Sequence, residues 1–179
     1  MVFCVYLTLL SKSSLSIMII DDFRHYKTFF GGLNAMLIAI IGENCVGKST
    51  LAKELMSYFP SKIFVGKDFL RLERNPSVAK QTFQKMLAQS VCGENLIFVI
   101  SEKEHIDLLP EGALRILLTA DLDVIKERFK DRMRGFLPPP VEKMLEQNHG
   151  KYDDLPCDMK LKSGEYNLNE VIEKLKSKG

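Results

Sequence analysis

The sequence predicts a three-layer α/β/α fold, in which a parallel sheet of five strands lies between helices. Three observations support this prediction: from residue 36 onward apolar runs alternate with amphipathic stretches, most of these runs are continuous, and 46% of the 179 residues are hydrophobic. Continuous apolar runs are typical of strands that are buried on both faces, as in a parallel sheet. Strands separated by helices indicate β-α-β connections, which keep neighbouring strands parallel.

The expected elements follow one another from residue 36 to the end of the chain. Strands are predicted at residues 36–41, 62–65, 96–100, 114–118 and 159–161. Helices are predicted at residues 48–59, 76–90, 121–134, 141–148 and 167–176. Pro60 ends the first helix, and Pro76 lies near the start of the second, where the missing backbone N–H costs nothing.

Apolar side chains at helical spacing mark the faces that these helices are expected to bury. In the second helix the expected core positions are Val78, Phe83, Met86 and Leu87. In the last helix they are Leu168, Val171, Ile172 and Leu175. Asp121 is expected to cap the helix that runs through Arg134, because a short acidic side chain can accept a hydrogen bond from the first turn.

Composition excludes several classes of protein. Lys plus Arg number 25 and Asp plus Glu 23, so the net charge is only +2 and nucleic-acid binding through bulk charge is not expected. The four cysteines form no C-x-x-C pair, which indicates a reduced, cytoplasmic chain without a zinc site. Apolar runs fall short of the roughly 18 residues of a membrane span, so no membrane partner is expected.

Residues 1–35 are interpreted as an N-terminal extension, and residues 36–179 as the folded domain. A short strand is expected at residues 16–20, and the apolar first ten residues lack the preceding positive charge of a signal peptide. Met36 directly precedes the first core strand. The native chain is therefore hypothesised to begin at Met36.

The sharpest signal is the sequence GENCVGKST at residues 42–50, which fits the Walker A pattern G-x-x-x-x-G-K-[ST]. It follows an apolar strand and opens an amphipathic helix, as this phosphate-binding loop requires. The residues expected to bind a nucleotide here are Gly42, Asn44, Cys45, Val46, Gly47, Lys48, Ser49 and Thr50. Cys45 either fills a variable position or, at a helix N-terminus, is a reactive thiol.

The chemistry of this pattern follows from its residue types. Gly42 and Gly47 allow the backbone to turn its N–H groups around a polyanion, and the helix N-terminus adds its positive dipole end. Lys48 is expected to neutralise the β- and γ-phosphates and to act in catalysis. Ser49 is expected to be a ligand of Mg²⁺, and Thr50 to bond an α-phosphate oxygen. The predicted cofactors are therefore ATP and Mg²⁺.

With this loop in place, residues 36–179 resemble the small P-loop kinases, the nucleoside monophosphate kinase group with its gluconate-kinase-like and shikimate-kinase-like branches. The resemblance implies a P-loop NTPase fold with a single parallel sheet and a mobile helical lid. It also implies transfer of the γ-phosphoryl group of ATP to a small acceptor.

The sequence GKDFLR after the second strand is similar to the acceptor side of this family. The resemblance implies that Asp68 binds the acceptor or a Mg²⁺-bound water, and that Arg71 holds an anionic group of the acceptor. A carboxylate there can orient the attacking hydroxyl and accept its proton. Alternatively, Asp68 caps the next segment, and Arg71 and Arg74 are surface charges.

Residues 118–132 are similar to the passage that leads into the kinase lid, whose arginines close over the phosphates. The implied roles are catalysis for Arg132, nucleotide binding for Arg128 and substrate binding for Arg134. Alternatively this is a solvated helix in which Glu127 and Asp131 pair with the arginines. Residues 135–140 are expected to form the hinge and tip of the lid.

The end of the chain resembles the family as well, and the resemblance places Ser163 and Gly164 near the adenine. The polar segment at residues 149–153 either contacts substrate or simply connects. The third strand lacks the glycine triplet of shikimate kinases, which argues against shikimate as the acceptor. Ser101 or Glu102 is expected to organise Mg²⁺ in place of the usual Walker B aspartate.

These observations predict an ATP-dependent phosphotransferase that acts on a small-molecule or nucleotide acceptor, as a monomer or a homodimer. The alternative is a nucleotide-binding switch, or a degenerate kinase, with only slow hydrolysis of nucleoside triphosphates. No N-K-x-D segment of a guanine-reading switch occurs in the sequence. The sequence does not identify the acceptor.

Overall fold

A sheet of five parallel strands forms the centre of the computed structural model, which describes residues 36–91 and 93–178. The strands are β1 (Leu37–Ile41), β2 (Lys62–Val65), β3 (Leu96–Ile100), β4 (Leu114–Thr119) and β5 (Met159–Lys162). Their order across the sheet is β2-β3-β1-β4-β5, and every neighbouring pair is parallel. The predicted fold class is confirmed.

Helices cover the sheet and connect its strands. They are α1 (Lys48–Met56), α2 (Pro76–Ser90), α3 (Leu122–Arg132), α4 (Pro139–Asn148) and α5 (Leu168–Lys176). Two short 3₁₀ segments, Gly66–Arg71 and Lys103–Leu108, follow β2 and β3. The sequence analysis missed these segments because a 3₁₀ turn is too short to show a hydrophobic period.

The core consists of two clusters, one on each face of the sheet. On one face Ile38 and Ile40 of β1 pack with α1 and α5, including Leu55 and Leu175. On the other face Leu37, Ala39 and Ile41 pack with aromatic and aliphatic residues of α2, among them Phe83 and Leu87. Every residue of β1 is buried, as the continuous apolar run predicted.

The predicted core of α2 needs one correction. Phe83 and Leu87 are buried and Met86 is half-buried, but Val78 is 43% exposed. Ala79 is buried instead. One position along a helix is about 100° of rotation, so Val78 turns away from the stripe that faces the sheet.

Several predicted helix ends also need correction. The first helix ends at Met56 and the remaining predicted residues form turns, although Phe59 stays buried. The side chain of Asp121 accepts no capping hydrogen bond in α3, and it pairs with Lys162 at 3.1 Å. The helix stops at Arg132 because Arg134 adopts a positive φ of 59°.

Three further boundaries differ by one or two residues. The fourth helix begins at Pro139, earlier than predicted, because proline is favoured in a first helical turn. Strands β4 and β5 each run one residue further than expected. Within residues 36–91 and 93–178, none of the helices combines the length and apolar character that crossing a membrane requires.

Residues 1–35 lie outside the described part of the chain. The expected strand at residues 16–20, the N-terminal extension and the start at Met36 therefore remain predictions.

Candidate functional site

The loop of residues 42–50 leaves the carboxyl end of β1, at the centre of the sheet, and leads into α1. The backbone N–H of Gly42 donates to the carbonyl oxygen of Ile100 at 3.3 Å, which ties the loop to β3. A Cβ on Gly42 would lie 2.2 Å from the carbonyl oxygen of Leu118, so only glycine fits there. The loop is thus held between β3 and β4 at the edge where parallel α/β sheets bind ligands.

Lys48 occupies the inside of this loop. Its Nζ donates to the carbonyl oxygens of Gly42 at 3.0 Å and Glu43 at 2.5 Å, and only 6% of the residue is exposed. Burial is the largest cause that lowers the pKa of Lys48 to about 8, and nearby charges of both signs have smaller effects. The ammonium group is thus fixed in position and held in a site where an anion would stabilise its charge.

The backbone around Lys48 suits a polyanion. Cys45 and Gly47 have positive φ angles of 66° and 104°, and the loop curls as a result. The N–H groups of residues 43–49 have no hydrogen-bond acceptor within the described part of the chain. Ser49 and Thr50 are exposed at the N-terminus of α1. These donors and hydroxyl groups fit the phosphates and the Mg²⁺ ion of a nucleotide.

A cavity of about 440 Å³ adjoins the loop, a volume suited to a small-molecule ligand. It brings together residues that were predicted separately from the loop, from the lid and from the end of the chain. Its lining consists of Cys45, Gly47, Thr50, Arg128, Asp131, Arg132, Ser163, Gly164 and Tyr166.

Arg128 connects two walls of this cavity. Its Nη1 donates to the carbonyl oxygen of Cys45 at 3.2 Å and to Ser163 Oγ at 3.0 Å. A Cβ on Gly47 would lie 3.7 Å from the same nitrogen and 3.3 Å from Ser163 Oγ. The cavity wall is therefore closely packed where it meets the loop.

Tyr166 lines the cavity but was not identified from the sequence. Its hydroxyl group donates to Glu54 Oε2 at 3.0 Å, which links the segment after β5 to α1. Burial and, second, the hydrogen bond to Glu54 raise the pKa of Tyr166 to about 12. A single tyrosine in a polar segment carries no sequence motif, so only the three-dimensional arrangement reveals it.

Three of the predicted site residues outside the 42–50 loop do not line the cavity. Asp68 lies just after β2, where its Oδ2 accepts a hydrogen bond from the N–H of Val65 at 3.3 Å. Arg71 approaches Asp68 Oδ1 at 3.7 Å with its side chain 87% exposed. Arg134 is exposed beyond the end of α3. Asp68 thus makes the capping contact that the sequence analysis offered as the alternative to acceptor binding.

The two candidates for the Walker B role sit at the end of β3. Ser101 is half-buried, and its carbonyl oxygen accepts a hydrogen bond from the hydroxyl group of Tyr152 at 2.7 Å. Glu102 pairs with Lys67 at 3.2 Å, and the hydrogen bond from Lys67 lowers the pKa of this carboxyl group. The Glu102 carboxylate is therefore ionised but already partly neutralised.

Comparison with known proteins supports the kinase interpretation. No protein-family model matches the sequence. The chain is 24% identical over 160 residues to a shikimate kinase from Pelotomaculum thermopropionicum, and the match covers 77% of this chain and 92% of that protein.

Solved structures show the same architecture. The gluconokinase of Sinorhizobium meliloti matches 82% of this chain and 93% of its own, with a TM-score of 0.52 and 13% identity. The Bacteroides thetaiotaomicron shikimate kinase matches 79% and 97%, with a TM-score of 0.52 and 14% identity. The Deinococcus radiodurans tunicamycin resistance protein matches 80% and 95%, with a TM-score of 0.56 and 19% identity.

The chain has the fold of the small P-loop kinases. The predicted resemblance to the shikimate- and gluconate-kinase branch of these kinases is confirmed. The 42–50 loop of this kinase fold lies at the carboxyl edge of the central strand, with the cavity beside it.

Proposed function

We propose that this protein is an ATP-dependent phosphotransferase that moves the γ-phosphoryl group of ATP to a small-molecule or nucleotide acceptor. The arrangement of Lys48 carries this proposal: a buried ammonium group is fixed by two carbonyl oxygens at the centre of a loop with free N–H groups. The shikimate kinase relative and the kinase fold support the same activity.

In this proposal the residues of the loop bind the phosphates of the nucleotide, and residues of the cavity bind its adenine. The N–H groups of the loop and Lys48 bind the phosphates, and Thr50 bonds an α-phosphate oxygen. Ser49 would be a ligand of Mg²⁺, and Asp68 would bind a water of the same ion. Mg²⁺ would supply positive charge that offsets the charge of the phosphates. Ser163 and Gly164 would contact the adenine.

The lid and the acceptor side complete the proposed site. Arg128 and Arg132 line the cavity and would balance the charge of the moving phosphoryl group. Asp68 would orient the acceptor hydroxyl and take its proton, with Arg71 and Arg134 on an anionic part of the acceptor. These three residues would have to move toward the cavity when the lid closes over the substrates.

The acceptor is proposed to differ from shikimate. The residues after β3 are Ser101, Glu102, Lys103 and Glu104, where shikimate kinases carry a glycine triplet. The same residues favour the second candidate function, a nucleotide-binding switch or degenerate kinase. None of these four residues is an aspartate, and Glu102 pairs with Lys67.

A coupled assay of ADP release over a panel of nucleotides, sugars and sugar acids tests the proposal. Turnover that depends on one acceptor and Mg²⁺ is expected. Lys48→Ala should abolish this turnover, whereas Lys53→Ala, at an exposed lysine of the same helix, should leave it unchanged. Slow hydrolysis that no acceptor accelerates would instead favour the switch.

A further inference from the structure

A carboxylate lies within the 42–50 loop, which otherwise suits an anion. Glu43 is the second residue of the loop, and its side chain is only 14% exposed. Such a charge repels phosphate unless it points away and is compensated. Both oxygens of this carboxylate have partners outside the loop: Oε1 accepts a hydrogen bond from the N–H of Gly150 at 2.7 Å, and Oε2 lies 3.3 Å from His149 Nδ1.

These contacts attach a distant segment, residues 149–152, to the loop. Gly150 is 107 positions from Glu43 in the sequence and follows the end of α4. The other end of the segment is attached by Tyr152, which is buried and donates to the carbonyl oxygen of Ser101 at 2.7 Å. The segment therefore spans the carboxyl ends of β1 and β3, where the loop begins.

Lys151 lies between the two attachments. Its Nζ is 4.9 Å from the centre of the Tyr152 ring, and the residue is exposed. Lys151 directly follows Gly150, whose N–H is bonded to Glu43 of the loop. After burial, the charge of Lys151 is among the causes that lower the pKa of Lys48, which agrees with this placement. Lys151 is not among the residues that line the cavity.

We propose that Glu43 is a positioning residue, which holds residues 149–152 against the loop so that Lys151 brings a second ammonium group to the terminal phosphoryl group of ATP. This inference rests on the proposed function, since it requires a nucleoside triphosphate in the loop with its nucleoside in the cavity. Two cations at the terminal phosphoryl group would stabilise its charge during transfer.

Hydrogen exchange at the Gly150 amide, followed by NMR, tests the Glu43 contact without any turnover. Glu43→Ala removes the acceptor and is expected to raise the exchange rate at least about tenfold. Glu43→Gln keeps an oxygen acceptor and should restore most of the protection. Glu111→Ala, at an exposed glutamate before β4, is the control and should leave the rate unchanged. An unchanged rate in Glu43→Ala overturns the proposal.

Calorimetric titrations with MgATP and MgADP test the role of Lys151. Glu43→Ala and Lys151→Ala should each weaken MgATP binding about tenfold and MgADP binding by less than about twofold. The double variant should bind MgATP no more weakly than either single variant, because Glu43 acts through Lys151. Lys80→Ala, at an exposed lysine of α2, should change neither affinity.

Three results would overturn the proposal. The affinity losses of the two single variants could add up in the double variant, MgATP and MgADP could lose affinity equally, or Glu43→Ala could bind MgATP more tightly than the wild type. A different result would overturn the proposed function alone: the wild-type protein binds MgATP, but no acceptor stimulates the release of ADP. The difference between the two nucleotides would then still support the role of Glu43. A wild-type protein that binds neither nucleotide overturns both proposals.

Discussion

Arg128 on α3 donates a hydrogen bond from Nη1 to Ser163 Oγ at 3.0 Å, and this contact joins α3 to the segment that follows β5. The same nitrogen lies 3.2 Å from the carbonyl oxygen of Cys45 in the 42–50 loop. One guanidinium group thus connects the 42–50 loop, α3 and the segment after β5. These contacts hold one wall of the cavity together.

Removing either side of this contact should destabilise the protein. Ser163→Ala loses one hydrogen bond to a charged group and is expected to lower the free energy of unfolding by about 1–2 kcal/mol. Arg128→Ala loses both contacts and should cost more than Ser163→Ala. Urea denaturation measures these changes. Lys130→Ala, at an exposed position of α3, serves as the control; a comparable loss in that variant would contradict the assignment.

Gly42 should be more sensitive to substitution than other glycines. In Gly42→Ala the new Cβ would meet the carbonyl oxygen of Leu118 at 2.2 Å, so β1 and β4 must separate. We expect a loss of about 3 kcal/mol or more in the free energy of unfolding. Gly66→Ala is the control, because its Cβ would meet nothing within 4 Å. Its φ of 53° alone should cost about 1–2 kcal/mol. Equal losses of unfolding free energy in Gly42→Ala and Gly66→Ala would refute the steric argument.

The buried ammonium group of Lys48 should make stability depend on alkaline pH. Its pKa is lowered from 10.5 to about 8 in the folded protein, so between these values the unfolded chain binds more protons. The free energy of unfolding therefore rises with pH across this window, relative to that of Lys48→Met, by roughly 1–3 kcal/mol. Denaturant titrations of both proteins across the window measure the difference. A difference that stays constant would show that the pKa of Lys48 is not lowered.

Tyr166 should produce the opposite dependence at still higher pH. Its pKa is raised from 10.0 to about 12 by burial and by the hydrogen bond to Glu54. The stabilisation is fully present below the lower value and is lost as the pH rises through the higher one. Tyr166→Phe should therefore lose less stability than the wild type across this range. Tyr58→Phe, at a residue that is 50% exposed, should behave like the wild type.

The sheet and the loop were predictable because local sequence determines them. The run at residues 36–41 is apolar throughout, as expected for a strand that is covered on both faces. The glycines and the lysine of residues 42–50 occur at the fixed spacing of the Walker A pattern. Helix ends were less predictable. Asp121 has the right residue type for a cap, but Lys162 lies close enough to pair with its carboxylate.

The contacts around the loop could not be read from the sequence. Tyr166 and Glu54 are 112 positions apart, and Glu43 and Gly150 are 107 apart. Neither pair has a spacing that a helix or a strand would reveal. These contacts depend on the order of the strands, which brings distant segments to the same edge of the sheet.

The burial of β1 on both faces has a consequence for inactivation by heat. The loop that follows this strand is anchored in the most protected part of the sheet, where every residue is buried. Elements of this kind open only when the whole domain melts. On warming, the capacity to hold phosphate should therefore stay intact up to the main unfolding transition. Phosphate binding and the folded structure should then be lost together.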